Sequence, residues 1–411
     1  MALALGAAST EVADRAVDLL HEMCSVSSAS GDVEGLGVMA EILGRELAPF
    51  GFIAELSREI GIDGSAQPVL MAQMPGTGDP CTLLLGHLDT VLPALAPRLE
   101  NGRLIGTGAL DMKGGFAALI GALQLLHEIG EALPDDLLLV AVPDEEIGGP
   151  VSVKMVRHFG ARAHTVLVLE PGAERAGGET LVTARRGLTV WRLDARGRAA
   201  HSGVSYWDGR SALAAAAAWA GEVQRMSEKG NGPLVNVGRI VGGDSEFVSD
   251  VGEEHRFIGT AERLNIVADR CLVEGEVRYL SLADRDRVLQ SMRDLTSDLS
   301  VSWDVELRFE EVEHIPPLAV SDSARQLADH LVSTAKEAGW RLELEDNRGG
   351  VSFPNFLPDP SAVTVIDGLG PVGGGMHTRA EFLDLGSLER RIVLIAEALR
   401  FVRDNRGTVS R

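Results

Sequence analysis

Two kinds of hydrophobic pattern alternate along the first part of the chain. Leu83–Leu85, Leu137–Val142 and Thr165–Leu169 are runs with little or no polar interruption, each ended by glycine, proline or acidic residues. Such runs predict strands buried on both faces, the signature of a parallel sheet. Gly51–Glu59 and Val69–Met74 predict two further strands, split by the turn Gly61-Ile62-Asp63-Gly64. Other stretches repeat apolar positions every three or four residues. Thr10–Met23 reads as a helix capped by Thr10, Val38–Leu47 as a second, Gly115–Ile129 as a buried helix and Val151–Phe159 as another. Strands alternating with helices predict an α/β fold with a mostly parallel central sheet.

The texture changes near Arg185. Leu188–Ala195, Val235–Val241, Leu272–Leu280 and Val301–Phe309 alternate apolar and polar residues, as half-exposed strands do, and Ser211–Met226 and Leu282–Leu299 have helical spacing. The order β-α-β-β-α-β is that of a ferredoxin-like α+β unit. Residues 187–309 therefore read as a domain inserted into another made of residues 1–186 and 310–411. Helix Leu318–Ala338, strands near Leu342 and at Ala362–Ile366, and an amphipathic helix Leu385–Arg403 complete the chain.

A length of 411 residues agrees with two domains. The net charge of -22 argues against nucleic acid and anionic membranes as partners, since both need a basic surface. Cys24, Cys81 and Cys271 are too scattered for a disulfide framework or a CxxC zinc site, and a reducing cytoplasm fits them. Met1–Ala8 is apolar but lacks a basic flank, so no signal peptide is expected. No apolar run reaches the roughly 18 residues of a membrane span.

Chemistry-bearing residues stand where the buried runs end, the place where open parallel sheets form their sites. His87 and Asp89, two apart, share a face of an extended chain, and His87 reads as a metal ligand oriented by Asp89. Asp111 lies in a glycine-rich loop opening the buried helix, whose N-terminus favours an anion. Glu145 and Glu146 point in different directions, which suits one ligand and one general base. Glu170 repeats the strand-then-carboxylate pattern, and His377 is a lone histidine among glycines. Each alone reads equally well as an ordinary turn. His201, in the inserted domain, reads as an exposed loop histidine, and the remaining histidines have no metal-type spacing.

Together these stretches resemble the co-catalytic zinc aminoacylase and carboxypeptidase family, which includes glutamate carboxypeptidase, acetylornithine deacetylase and succinyl-diaminopimelate desuccinylase. The resemblance runs from about Thr10 to Val402. It is carried by Gly86-His87-Leu88-Asp89-Thr90-Val91, Gly108-Ala109-Leu110-Asp111-Met112-Lys113-Gly114-Gly115, Asp144-Glu145-Glu146-Ile147-Gly148, Glu170-Pro171, Gly197–Gly203 and Gly375-Met376-His377-Thr378. It implies two zinc ions per chain, with cobalt or manganese as substitutes. Asp111 would bridge them, His87 and Glu170 would complete one site, Glu146 and His377 the other, and Glu145 would be the general base. It further implies a cis bond before Met112, a homodimer through the inserted lid domain, and a His201 that reaches the partner's active site. Asn265 and Arg278 match lid positions that contact substrate. Arg348 and Gly350, in the segment before the last strand, join them as candidate substrate contacts, and Arg186 is a further basic candidate. Phe353 stands where relatives often carry an acidic residue.

The implied activity is metal-dependent hydrolysis of an amide bond in a small peptidyl or N-acyl amino acid. A carboxypeptidase is the first reading, favoured by Ala184-Arg185-Arg186-Gly187. A deacylase, or an enzyme releasing an amino acid from a carrier protein, is the second. A non-catalytic dimeric binding protein is the third, and the complete ligand set with Glu145 argues against it.

Overall fold

In the computed structural model of the chain, which describes residues 7–76, 78–79, 81–254 and 265–405, every residue of Cys81–His87 and of Leu137–Val142 is buried. The start of the chain through Gly6, together with His255 and Leu264, lies outside those residues. The chain forms two compact units, one of residues 1–184, 318–348 and 352–411, the other of 185–317 with 349–351.

The first unit is built on a six-stranded sheet in the order Ile53–Ile60, Ala66–Gln73, Leu137–Val142, Cys81–His87, Ala163–Val168 and Thr364–Ile366. The first two pairings are antiparallel and the other three parallel. His87 is therefore level with Val142, and Leu85 with Val168. Parallel register brings the residues that follow these strands to one edge of the sheet. The helix Lys113–Glu128, apolar nearly all round, is buried along almost its whole length and packs against Ala7–Ser25 and Leu385–Asp404. Its close approach to the sheet depends on Gly115: a Cβ there would lie 2.1 Å from the Leu169 carbonyl oxygen.

Several boundaries differ from the sequence-based expectation, and the helix expected at Leu318–Ala338 is Asp322–Glu337, capped by Ser321. The first helix already includes Ala7, the first described residue, so Thr10 lies inside it and is not its cap. The second begins at Val33 because Asp32 accepts the Gly35 N–H at 3.0 Å, capping a segment whose glycines hide the helical pattern. The helix Leu282–Trp303 runs through Val301 and ends where Asp304 turns left-handed at φ 53°, so the next strand is Glu306–Ile315. Among the described residues no helix is long and apolar enough to cross a membrane.

The second unit has the strand order Leu234–Gly243, Arg270–Tyr279, Gly187–Arg196, Glu306–Ile315, all antiparallel, with helices Ala212–Gln224 and Leu282–Trp303. Gly187–Arg196 alternates buried and half-buried positions along its length. Trp191 meets Trp219 edge-on at 5.3 Å, and the Trp219 indole N–H donates to Thr296 Oγ1 at 2.9 Å. These buried aromatics give the unit its own core. A helix Ser245–Glu254, not evident from the alternation, adds to the β-α-β-β-α-β plan.

Candidate metal centre

The five residues at the ends of the buried runs and in the two glycine-rich loops converge in the first unit. Asp111 points one carboxylate oxygen at each histidine: Oδ1 lies 3.2 Å from His87 Nε2 and Oδ2 lies 3.3 Å from His377 Nε2. Glu170 Oε1 is 3.9 Å from His87 Nε2, and Glu146 Oε2 is 3.1 Å from His377 Nε2. Glu145 joins the His87 side, its carboxylate within 4.8 Å of ligand atoms of His87 and Glu170.

The backbone around these side chains is tightly held. His87 Nδ1 faces the Asp89 carbonyl oxygen at 2.9 Å, with the Asp89 carboxylate 3.4 Å away. Donating that N–H leaves the Nε2 lone pair turned toward Asp111 and Glu170. The Asp89 carboxylate mainly serves the backbone: Oδ1 accepts the Glu145 N–H and Oδ2 the Glu146 N–H, both at 3.2 Å, while Ser30 Oγ donates to Oδ2 at 2.7 Å. Asp144 caps the following helix by accepting from Val151 N, Ser152 N and Ser152 Oγ. Ser352 Oγ donates to Glu170 Oε1 at 3.2 Å. The Asp111–Met112 peptide is cis. Ser30 and Ser352 carry no motif, because their partners are 59 and 182 residues away in the chain.

The electrostatics are those of a site short of positive charge. Burial lowers the proton affinity of His87, yet its contacts with Asp111 and Asp89 outweigh that and hold its pKa well above the ordinary histidine value. Burial opposes ionisation of Asp111, but hydrogen bonds from His377 and His87 keep its carboxyl well below the usual range. Burial, opposed by His87 and reinforced by the Asp111 charge, pushes Glu146 up to about 8. The hydrogen bond to Asp111 raises His377 to about 9. Protons here stand where cations would, since ligand imidazoles must be neutral and ligand carboxylates ionised. Glu146 Oε1 is buried with no hydrogen-bond partner among the described residues. An uncompensated carboxylate oxygen in a cluster of imidazole nitrogens and carboxylates fits a divalent ion such as zinc.

The substrate candidates divide between the units. In the first, Arg348 faces Glu345, Nε to Oε2 at 2.9 Å. Phe353 is 1% exposed with its ring 6.2 Å from that of His87, so it is a packing residue. In the second, Arg278 pairs with Glu276 and donates to the Gly349 carbonyl at 3.2 Å, and the Gly350 carbonyl accepts from Arg185 at 3.0 Å. Arg186 donates to the carbonyls of Gly230 and Gly232. His201 is exposed, as expected of a loop histidine, and the following Ser202 N–H donates to the Asn265 carbonyl at 2.9 Å, which sets these two residues side by side.

A mostly parallel sheet whose carboxyl edge gathers two histidines and four carboxylates defines a metal-dependent hydrolase. The chain belongs to peptidase family M20/M25/M40, whose signature matches residues 83–400. It is 25% identical over 398 residues to carboxypeptidase G2 of Pseudomonas sp. (strain RS-16), covering 95% of this chain and 90% of that protein. It is 30% identical over 202 residues to succinyl-diaminopimelate desuccinylase of Delftia acidovorans, covering 46% of this chain and 51% of that protein. Among solved structures, an aminopeptidase of Bacillus cereus shares the fold with a TM-score of 0.74 at 20% identity, over 95% of this chain and 98% of that one. The family, the α/β fold and the metal-dependent hydrolase expected from the motifs are the ones found.

Proposed function

We propose that the protein hydrolyses an amide bond of a small peptidyl or N-acyl amino acid at a centre of two zinc ions, with cobalt or manganese as alternatives. The observation that carries this reading is Asp111, which offers one oxygen to the His87 side and one to the His377 side. His87 and Glu170 would hold one ion, Glu146 and His377 the other, and Asp111 both. When bound, such ions supply Lewis acidity to the scissile carbonyl and lower the pKa of water at the site.

The chain's own residues do the rest. Glu145 takes the proton of the attacking water on its carboxylate and returns it to the leaving nitrogen. Asp89 aims Glu145 and Glu146 by holding their backbone N–H groups, and fixes the His87 ring through its carbonyl. His201 stabilises the developing oxyanion from the lid of a partner subunit, and Asn265, Arg278, Arg348 and Gly350 contact substrate. Residues 1–186 and 310–411 form the catalytic domain and 187–309 the lid through which two chains pair. Three buried thiols outside any disulfide fit a reducing cytoplasm.

Carboxypeptidase action is preferred, on the likeness to carboxypeptidase G2 over nearly the whole chain. Two measurements test the reading. Glu145→Ala should retain both metals by mass spectrometry and lose about 10²–10⁴ in kcat, the usual share of a general acid–base; retained turnover would refute the role of Glu145. A panel of C-terminal dipeptides against N-acetyl and N-succinyl amino acids should favour the dipeptides, and the opposite order would make the enzyme a deacylase.

A further inference from the structure

Glu381 lies on the loop just beyond His377 and is 4% exposed. Its carboxylate accepts three backbone N–H groups from the Asp111 loop, Gly108 on Oε2 and Leu110 and Asp111 on Oε1, each at 2.9 Å. Its own carbonyl accepts a fourth, from Gly106, at 3.1 Å. A single residue thus accepts four N–H groups of this loop, while the Ala109 N–H turns back onto the Gly106 carbonyl. The same residue closes the His377 turn, where Thr378 N–H donates to Gly375 and Glu381 N–H to Thr378. That turn has no slack: Gly375 is left-handed at φ 71°, and a Cβ there would lie 2.6 Å from the Ala380 carbonyl oxygen. His377 is left-handed as well, at φ 63°.

We infer that Glu381 is a positioning residue that welds the loop of Asp111 to the loop of His377, and so sets the affinity of the metal position between them. The inference rests on the two-ion reading of the centre. The His87 end depends on the weld only through the shared Asp111, because His87 is placed by a sheet strand and its ring by Asp89. Charge-assisted bonds from N–H groups to a buried carboxylate are strong and directional. In Glu381→Gln the amide oxygen can keep two of the three bonds, but its NH₂ then faces the Gly108 N–H, donor against donor.

The test is a zinc titration of the full chain against a chromophoric chelator, with circular dichroism as the check on folding. Glu381→Gln should stay folded and hold the ion on the His87 side near the parental affinity while binding the other about 10–100-fold more weakly, the range seen when an outer hydrogen-bond partner of a ligand is lost. Added to His377→Ala, it should cost little more, because both act on one position. Glu397→Gln, which removes another buried carboxylate of the same unit, should leave both affinities unchanged. Parental affinity for both ions in Glu381→Gln, or equal weakening in Glu397→Gln, overturns the inference. Should Glu381→Gln fail to fold, Glu381→Asp decides, since its shortened carboxylate must weaken the same ion and parental binding would refute the weld. A parent that takes up fewer than two zinc ions would instead refute the two-ion reading.

Discussion

The two histidines of the centre stand on unlike ground. His87 ends a strand buried along its whole length, and its side chain is 1% exposed. His377 sits left-handed on a glycine-rich loop, and its side chain is 54% exposed. The first is aimed by the central sheet and locked by Asp89. The second is held in a backbone state that costs a non-glycine residue about 1–3 kcal/mol and persists only where its surroundings impose it. The His377 imidazole is thus the part of the cluster that reaches solvent. The difference teaches how one centre can be both stable and accessible: on the two-ion reading, the core would fix one ion position and an exposed loop would complete the other.

The sharpest way to break this comparison is to remove each histidine in turn. His87→Ala removes the buried imidazole that faces both Asp111 and Glu170, and breaking a buried charged contact from one side is strongly destabilising. It should lose both ions and more than about 100-fold in turnover, exceeding the loss of an outer partner. His377→Ala should remain folded and keep one ion per chain by mass spectrometry. Equal metal loss in the two variants would mean that burial does not distinguish the ends.

Proton linkage separates the ends next. In the metal-free protein His377 is raised to about 9 and Glu146 to about 8, while His87 is also raised. A histidine with a raised folded pKa stabilises below its unfolded value, and that stability is lost as pH rises through the folded pKa. A carboxyl raised on folding is protonated in the folded state and ionised in the unfolded one between its two values, so stability falls there too as pH rises. All three act in the same direction, and metal-free stability should decline between about pH 6.5 and 9. Metal binding must expel these protons, so affinity should fall by up to about tenfold per pH unit for each proton displaced as pH drops below 8. Denaturation midpoints with and without zinc, and calorimetry in buffers of different ionisation enthalpy, measure both. A metal-free midpoint that rises over this range would contradict the charge distribution described for the centre.

How much of this was legible in the sequence follows from what each contact requires. Uninterrupted runs such as Leu137–Val142 and the alternation of Leu188–Ala195 announce buried and half-buried strands, because side-chain environment repeats with backbone period. His87, Glu146 and Glu170 were visible because parallel strands deliver their following residues to one edge. What stayed hidden is long-range and polar. Ser30 and Ser352 are ordinary serines until the fold sets them against Asp89 and Glu170. The Asp89 carboxylate, expected to orient His87, lies 3.4 Å from its Nδ1 and also holds the N–H groups of Glu145 and Glu146, a pairing no local spacing reveals. The start of the second helix was missed because Asp32 caps two glycines that obscure its period.

The smallest effect is the most selective probe of the comparison. Ser352 Oγ donates to Glu170 Oε1, on the buried His87 side only. Hydrogen bonds to charged groups contribute about 1.5–3 kcal/mol, and a bond of 3.2 Å belongs at the lower end. Ser352→Ala should therefore weaken the ion proposed on the His87 side by about tenfold and leave the one on the His377 side unchanged. The two-step titration that reads Glu381→Gln reads this variant as well, with the opposite step displaced. If both substitutions moved the same ion, the two ends would not be separable, and the division between a core-built and a loop-built half of the centre would have to be given up.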